Sequence, residues 1–245
     1  MSVGDRPLLD DVALEASAVV ANCAMNRERQ LSGVNSYTRA LGFNPLEAVT
    51  SRLGDSEAAG VGSDGSVEWL DLCCGSGRAL AQAAWAVQRD GLAGRVRLVG
   101  VDLIDGFDAA PTVPGLELVT ASVTSWTPDR AFDLITCVHG LHYIGDKLAV
   151  LTRAASWLSD AGLLIADLDL ASIRLPDGRP AGRRLAAQLR ASGFTYDPRR
   201  HLVACRGART VALPYTYLGA DDRAGPNYTG QPAVHSYYRP NPSTA

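Results

Sequence analysis

A chain of 245 residues with 47% hydrophobic and 20% charged content has the make-up of one globular domain with a sizeable core. The net charge of −3 argues against a nucleic-acid partner, because such binders carry a basic surplus. No apolar run reaches the roughly 18 residues of a membrane span, no secretory leader is visible, and the cysteines lack zinc-type spacing.

Residues 1–10 read as a frayed end, and 11–25 as an alanine- and valine-rich helix. Polar punctuation follows over 26–41. Gly42-Phe43-Asn44-Pro45 is a break, and Pro45 opens another helix in its first turn. A Gly/Ser/Asp-rich linker over 54–66 leads into Val67-Glu68-Trp69-Leu70-Asp71-Leu72, an apolar strand. Gly75 and Gly77 then let the backbone turn tightly with no side chain between it and a ligand. A helix over 78–88 aims the free N–H groups of its first turn at that bend.

A second strand runs from Arg95 to Val101 and ends at Asp102, 25 residues after Gly77. An acid there suits two ribose hydroxyls, with Leu103 and Ile104 against a base. Leu116–Thr120 is a third strand and 131–138 a fourth, its end carrying His139-Gly140-Leu141-His142-Tyr143. A helix over 145–158, a turn at Ser159-Asp160-Ala161-Gly162 and a fifth strand over 163–168 complete an alternating pattern. That pattern implies a parallel sheet with right-handed crossovers. Another helix covers 182–192. Leu202-Val203-Ala204-Cys205 and Thr210-Val211-Ala212-Leu213 read as two further strands before an aromatic, polar tail. The tryptophans Trp69, Trp85, Trp126 and Trp157 read as packing residues.

Two cofactors compete for the glycine turn. The dinucleotide fingerprint wants a third glycine where Leu80 stands. The frame from Asp71 through Gly75 to Gly77 instead resembles motif I of the class I S-adenosylmethionine-dependent methyltransferases, with Cys73 replacing its first glycine. The Phe132-Asp133 pair opening the fourth strand is typical of the same family. The resemblance is carried by residues 65–170.

It implies an α/β fold: a Rossmann-like, mostly parallel seven-stranded sheet with helices on both faces, the last strand antiparallel. Residues 1–60 are then a helical lid region and 61–245 the S-adenosylmethionine-binding domain. The implied cofactor contacts are Asp71, Cys73, Gly75, Gly77, Asp102, Leu103, Ser122, Val123 and His139. Ser122 sits where relatives often carry an acid beside the adenine. Tyr37 is the candidate lid aromatic, or a packed tyrosine on a helix face. His142, with His139 second, is the candidate base, or merely lines the pocket. Tyr143, Tyr228 and His235 are substrate-side candidates. No metal is expected. The cysteines read as buried thiols in a reducing cytoplasm.

The implied function is methyl transfer to a small molecule, in specialised-metabolite (natural product) biosynthesis, with no nucleic-acid or membrane partner and room for a homodimer. The rivals are a non-methylating reaction on the same fold, such as cyclisation or elimination, and a non-catalytic partner subunit.

Overall fold

The computed structural model describes residues 7–21, 28–58, 65–107 and 113–242. Cys23, and parts of the stretches expected as a frayed end, a linker and a loop, lie outside these residues. In chain order the elements begin with four helices: α1 (Asp11–Glu15), α2 (Ala18–Ala21), α3 (Tyr37–Leu41) and α4 (Pro45–Ala58). The alternating region follows: β1 (Val67–Leu72), α5 (Arg78–Arg89), β2 (Val96–Asp102), β3 (Leu116–Thr120), β4 (Phe132–Cys137), α6 (Lys147–Ser156) and β5 (Leu158–Asp167). The chain closes with β6 (Ile173–Arg174), α7 (Gly182–Ala191), β7 (Phe194–Asp197), β8 (Leu202–Arg206), β9 (Tyr215–Asp221) and β10 (His235–Pro240).

Seven strands pair in the order β3-β2-β1-β4-β5-β8-β7. All are parallel except β8, which runs antiparallel to both β5 and β7. The expected mostly parallel seven-stranded sheet is thus present, with helices on both faces. Successive β1 residues explain the layering, since side chains alternate across a strand. Val67 and Trp69 pack with α3, α4 and α5, whereas Leu70 and Leu72 pack with α6 and α7. Leu31, Tyr37, Leu41, Val49 and Leu53 share one apolar cluster with the sheet, so this part of the 1–60 region is core and not cover.

Leu80 shows how the helix after the glycine turn packs without a third glycine. A Cβ on Gly100 of β2 would lie 2.6 Å from Leu80 Cδ1. The space that a dinucleotide fold clears on the helix is here cleared on the strand.

Three expectations are corrected. Residues 210–213 form no strand; Val211 and Leu213 instead pack against the main cluster from an irregular stretch. The sixth strand of the sheet is β7, immediately after α7. The turn expected at 159–162 lies within β5 as an irregularity, with the β4–β5 register shifting between Phe132 and Leu134. Trp85 is 53% exposed rather than packed. The aromatic tail folds as a second sheet, β6-β10-β9. Lys147, the chain's single lysine, clamps that sheet to the main body. Its Nζ donates to Ile144 O at 2.7 Å, Val234 O at 3.0 Å and Ser236 Oγ at 2.7 Å.

No helix among the described residues is long and apolar enough to cross a membrane.

Candidate functional site

The sheet leaves a crevice beyond the carboxyl ends of β1, β2 and β4, where the strand order reverses. The turn after β1 forms its floor. Gly77 holds φ at 74°, and a Cβ there would press within 3.0 Å of the Leu118 methyl carbons. Cys73 adopts φ 58° without being glycine, a conformation that costs an ordinary residue energy. Cys73 and Gly75 both line the cleft.

Asp102 ties this turn down from the tip of β2. Its Oδ2 accepts the Gly75 N–H at 2.9 Å and its Oδ1 accepts the Ile104 N–H at 3.2 Å. A carboxylate offers about four acceptor positions, and Asp102 still lines the cleft. Leu103, Ile104, Val123, Val138 and Ile144 supply apolar walls.

Asp71 departs from its expected place. It is fully buried and does not line the cleft. Thr136 Oγ1 donates to its Oδ1 at 2.6 Å and the Tyr37 hydroxyl donates to its Oδ2 at 2.6 Å. Trp69 Nε1 donates to Thr136 Oγ1 at 2.9 Å, which leaves the Thr136 proton for Asp71. Burial raises the Asp71 carboxyl to about 7, against the pull of those two donors. Asp71 thus ties β1 to α3 and β4. Tyr37 is corrected with it: only 3% exposed, it is a prop for Asp71 and not a lid.

The segment lying across the cleft is α1 with α2. Asp11, Leu14, Glu15 and Val20 all face into it. Leu9 exchanges two backbone hydrogen bonds of 2.8 Å with Ala220 of β9, anchoring the start of α1. At the other end Glu15 Oε1 receives the Ser122 and Thr124 hydroxyls. Ser122 also lines the cleft, but its hydroxyl is engaged by these neighbours.

The far end of the cleft is built at the tips of β4 and β5. His139, at φ 60°, lines the wall with Gly140 and Tyr143. Its N–H donates to Asp167 Oδ2 at 3.1 Å, which holds the strained backbone in place. Its Nδ1 lies 3.4 Å from His142 Nε2. His142 is 1% exposed and does not line the cleft, so of the two candidate bases it is His139 that reaches the ligand space. Burial, then the Arg29 charge, lowers His139 to about 3; burial, then His139, lowers His142 to about 3. Both rings are neutral at ordinary pH.

Tyr228 donates to Asp167 Oδ1 at 3.1 Å and stacks on His201, with ring centroids 3.9 Å apart and planes 7° from parallel. Its ring also lies edge-on to His142 at 5.4 Å. The fold therefore brings Tyr228, a substrate-side candidate, beside the histidines. His235 does not join them: it sits on β10, 3.3 Å from Arg174 Nη2.

Glu15, Arg29 and Asp167 escaped the sequence reading, and His201 reads there as structural. Asp167 ends β5 as Asp102 ends β2, and that parallel was a usable signal. His201 is brought in by the β7–β8 hairpin, and Glu15 by a pairing 107 residues apart. Among the described residues no cluster of His, Cys, Asp or Glu is arranged to hold a metal.

A sequence model of a methyltransferase domain matches residues 34–204. The chain is 28% identical over 117 residues to the trans-aconitate 2-methyltransferase of Escherichia coli O17:K52:H18 (strain UMN026 / ExPEC). That alignment takes in 46% of this chain and 40% of the relative, so the chain spans less than half the length of that protein. Among solved structures, magnesium protoporphyrin IX methyltransferase (ChlM) from Synechocystis PCC 6803 with bound SAM aligns at a TM-score of 0.45 and 14% identity, over 83% of this chain and 100% of that one. N-methyltransferase NodS from Bradyrhizobium japonicum WM9, in complex with S-adenosyl-L-homocysteine, aligns at 0.41 and 16%, over 76% and 98%. The domain match runs from α3 into β8, over more than half of the chain, and the strand order is that of the expected sheet; the protein belongs to the class I S-adenosylmethionine-dependent methyltransferase family.

Proposed function

We propose that the chain transfers the methyl group of S-adenosylmethionine to a small-molecule acceptor in specialised-metabolite biosynthesis, in the cytoplasm. One observation carries the reading: a single cleft joins Asp102 and the glycine turn at one end to His139 and Tyr143 at the other. The cofactor brings a methyl group already activated as a sulfonium. What remains for the protein is alignment of the acceptor and exclusion of water.

In this reading Asp102 takes the ribose hydroxyls, and Cys73, Gly75 and Gly77 give backbone access to the methionine portion. Leu103 and Val123 pack on the adenine. The acceptor lies beyond His139, between Tyr143 and Tyr228. Tyr228 is held in place there by its hydrogen bond to Asp167. His139 holds and orients the acceptor, and His142 backs it from the buried side. Pushed down to about 3, they are weak proton acceptors, which favours an acceptor that arrives already ionised. The free thiols Cys73, Cys74, Cys137 and Cys205 suit a reducing compartment.

The test is incubation with S-adenosylmethionine and fractionated metabolite pools. Formation of S-adenosylhomocysteine with a product heavier by one methylene supports the reading. Cofactor turnover without a methylated product moves it to the non-methylating alternative. His139→Ala should lower kcat/KM on the order of 10²-fold through misplacement of the acceptor. The wild-type rate profile should show no histidine inflection near pH 6.5; finding one would make the pair bases after all.

A further inference from the structure

We infer that Glu15, carried by the short helix across the cleft, is the carboxylate that recognises the exocyclic amine of the cofactor's adenine. The inference rests on the cofactor assignment above and adds a specificity residue to it. The strand tip that faces the base ends in Ala121-Ser122-Val123 and carries no acid. A serine hydroxyl there meets an amine less strongly than a carboxylate does. Into that place the fold brings an acid from elsewhere. Glu15 lines the same cleft wall as Ile104, Ser122, Val123 and Thr124. Its Oε1 collects the hydroxyls of Ser122 and Thr124. Both of those contacts fall on one oxygen, and a carboxylate accepts about four hydrogen bonds. The carboxylate is thus positioned by two donors and retains capacity for an amine.

The chemistry follows from the base edge. An amino group at the purine 6-position donates to Glu15. A 6-oxo group presents an acceptor to the same carboxylate and is repelled. The wild-type protein should therefore prefer S-adenosylhomocysteine to S-inosylhomocysteine. The preference should depend on Glu15 and not on the glycine turn or Asp102.

Calorimetric binding of both nucleosides to the full chain tests this, for wild type, Glu15→Ala and Ser122→Ala. Glu15→Ala should weaken S-adenosylhomocysteine roughly 10- to 100-fold, as loss of a charge-assisted contact does, and leave S-inosylhomocysteine within a few-fold. The preference then collapses. Ser122→Ala removes a tether of Glu15 but not its charge, and should retain most of the preference. If Glu15→Ala weakens both nucleosides equally, Glu15 only fastens the helix and the inference is wrong. Unchanged binding of both overturns it as well. Failure of the wild type to bind S-adenosylhomocysteine at all would instead sink the cofactor assignment beneath it.

Discussion

Two carboxylates at neighbouring strand tips read alike in the sequence, yet the fold gives them different work. Asp71 spends both oxygens on Tyr37 and Thr136, whereas Asp102 divides its carboxylate between the glycine turn and the cleft. Nothing in the local sequence separates these fates, because the partner hydroxyls lie 34 and 65 residues from Asp71. Asp102→Ala should weaken S-adenosylhomocysteine binding roughly 10- to 100-fold in calorimetry. Asp102→Asn, which keeps an acceptor oxygen, should fall between. Equal affinity in all three proteins would remove Asp102 from the ribose site. Lys147 gives a stability test of the same kind. Its ammonium satisfies two buried carbonyls and the Ser236 hydroxyl, so Lys147→Met leaves these acceptors without that donor. The substitution should cost roughly 2–4 kcal/mol in urea unfolding. A cost under half a kcal/mol would mean that the second sheet is held by other contacts.

The elements nearest the glycine turn were the most legible, because a buried parallel strand announces itself as an apolar run ending at a turn. β1 to β4 fall within a residue or two of expectation. The C-terminal part was harder. Phe194–Asp197 is four residues long, and its pairing with β8 is invisible to periodicity. Thr210–Leu213 looks equally strand-like, but no partner strand meets it. The cleft cover was expected only as a lid somewhere in residues 1–60, since two short helices of five and four residues carry little periodic signal of their own. Their position nonetheless makes a prediction. α1 is fixed by a two-bond bridge to β9 at one end and by Glu15 at the other, with Leu14 buried between. A ligand in the cleft lies against this strap, which lines it through Asp11, Leu14, Glu15 and Val20. Cleavage at Glu15 by a glutamate-specific protease should therefore slow several-fold when S-adenosylhomocysteine is added. A cleavage rate indifferent to the ligand would show that the strap does not close over it.

At the scale of the whole molecule, the buried ionisable groups around the cleft set the response to acid, and their signs oppose. His139 and His142 stand at about 3 in the fold, against 6.5 for a free imidazole. Each binds fewer protons folded than unfolded between those values, so each contributes stability that is lost as pH falls through that window. Asp71 and Asp167 stand at about 7 and about 6, against 3.8 for a free carboxyl. Each binds more protons when folded, so each contributes stability that is lost as pH rises towards those values. Between about pH 4 and 6 two of these cleft groups pull each way, at about 1.4 kcal/mol per pH unit apiece, and His235, lowered to about 4 by burial and then Arg174, adds to the imidazole side. The urea midpoint should accordingly rise only shallowly with pH over that range. Below about pH 4 the acids no longer compensate, and stability should drop steeply as the imidazoles are forced to charge. Asp167→Asn removes one opposing group while leaving a polar partner for the Tyr228 hydroxyl. In that variant the shallow slope should steepen by about 1.4 kcal/mol for each pH unit from 4 to 6. A wild-type midpoint that declines steadily from pH 6 downwards, with the same slope in Asp167→Asn, would mean that the two aspartates are ionised in the folded protein and that the cleft carries a net negative charge beneath its cofactor.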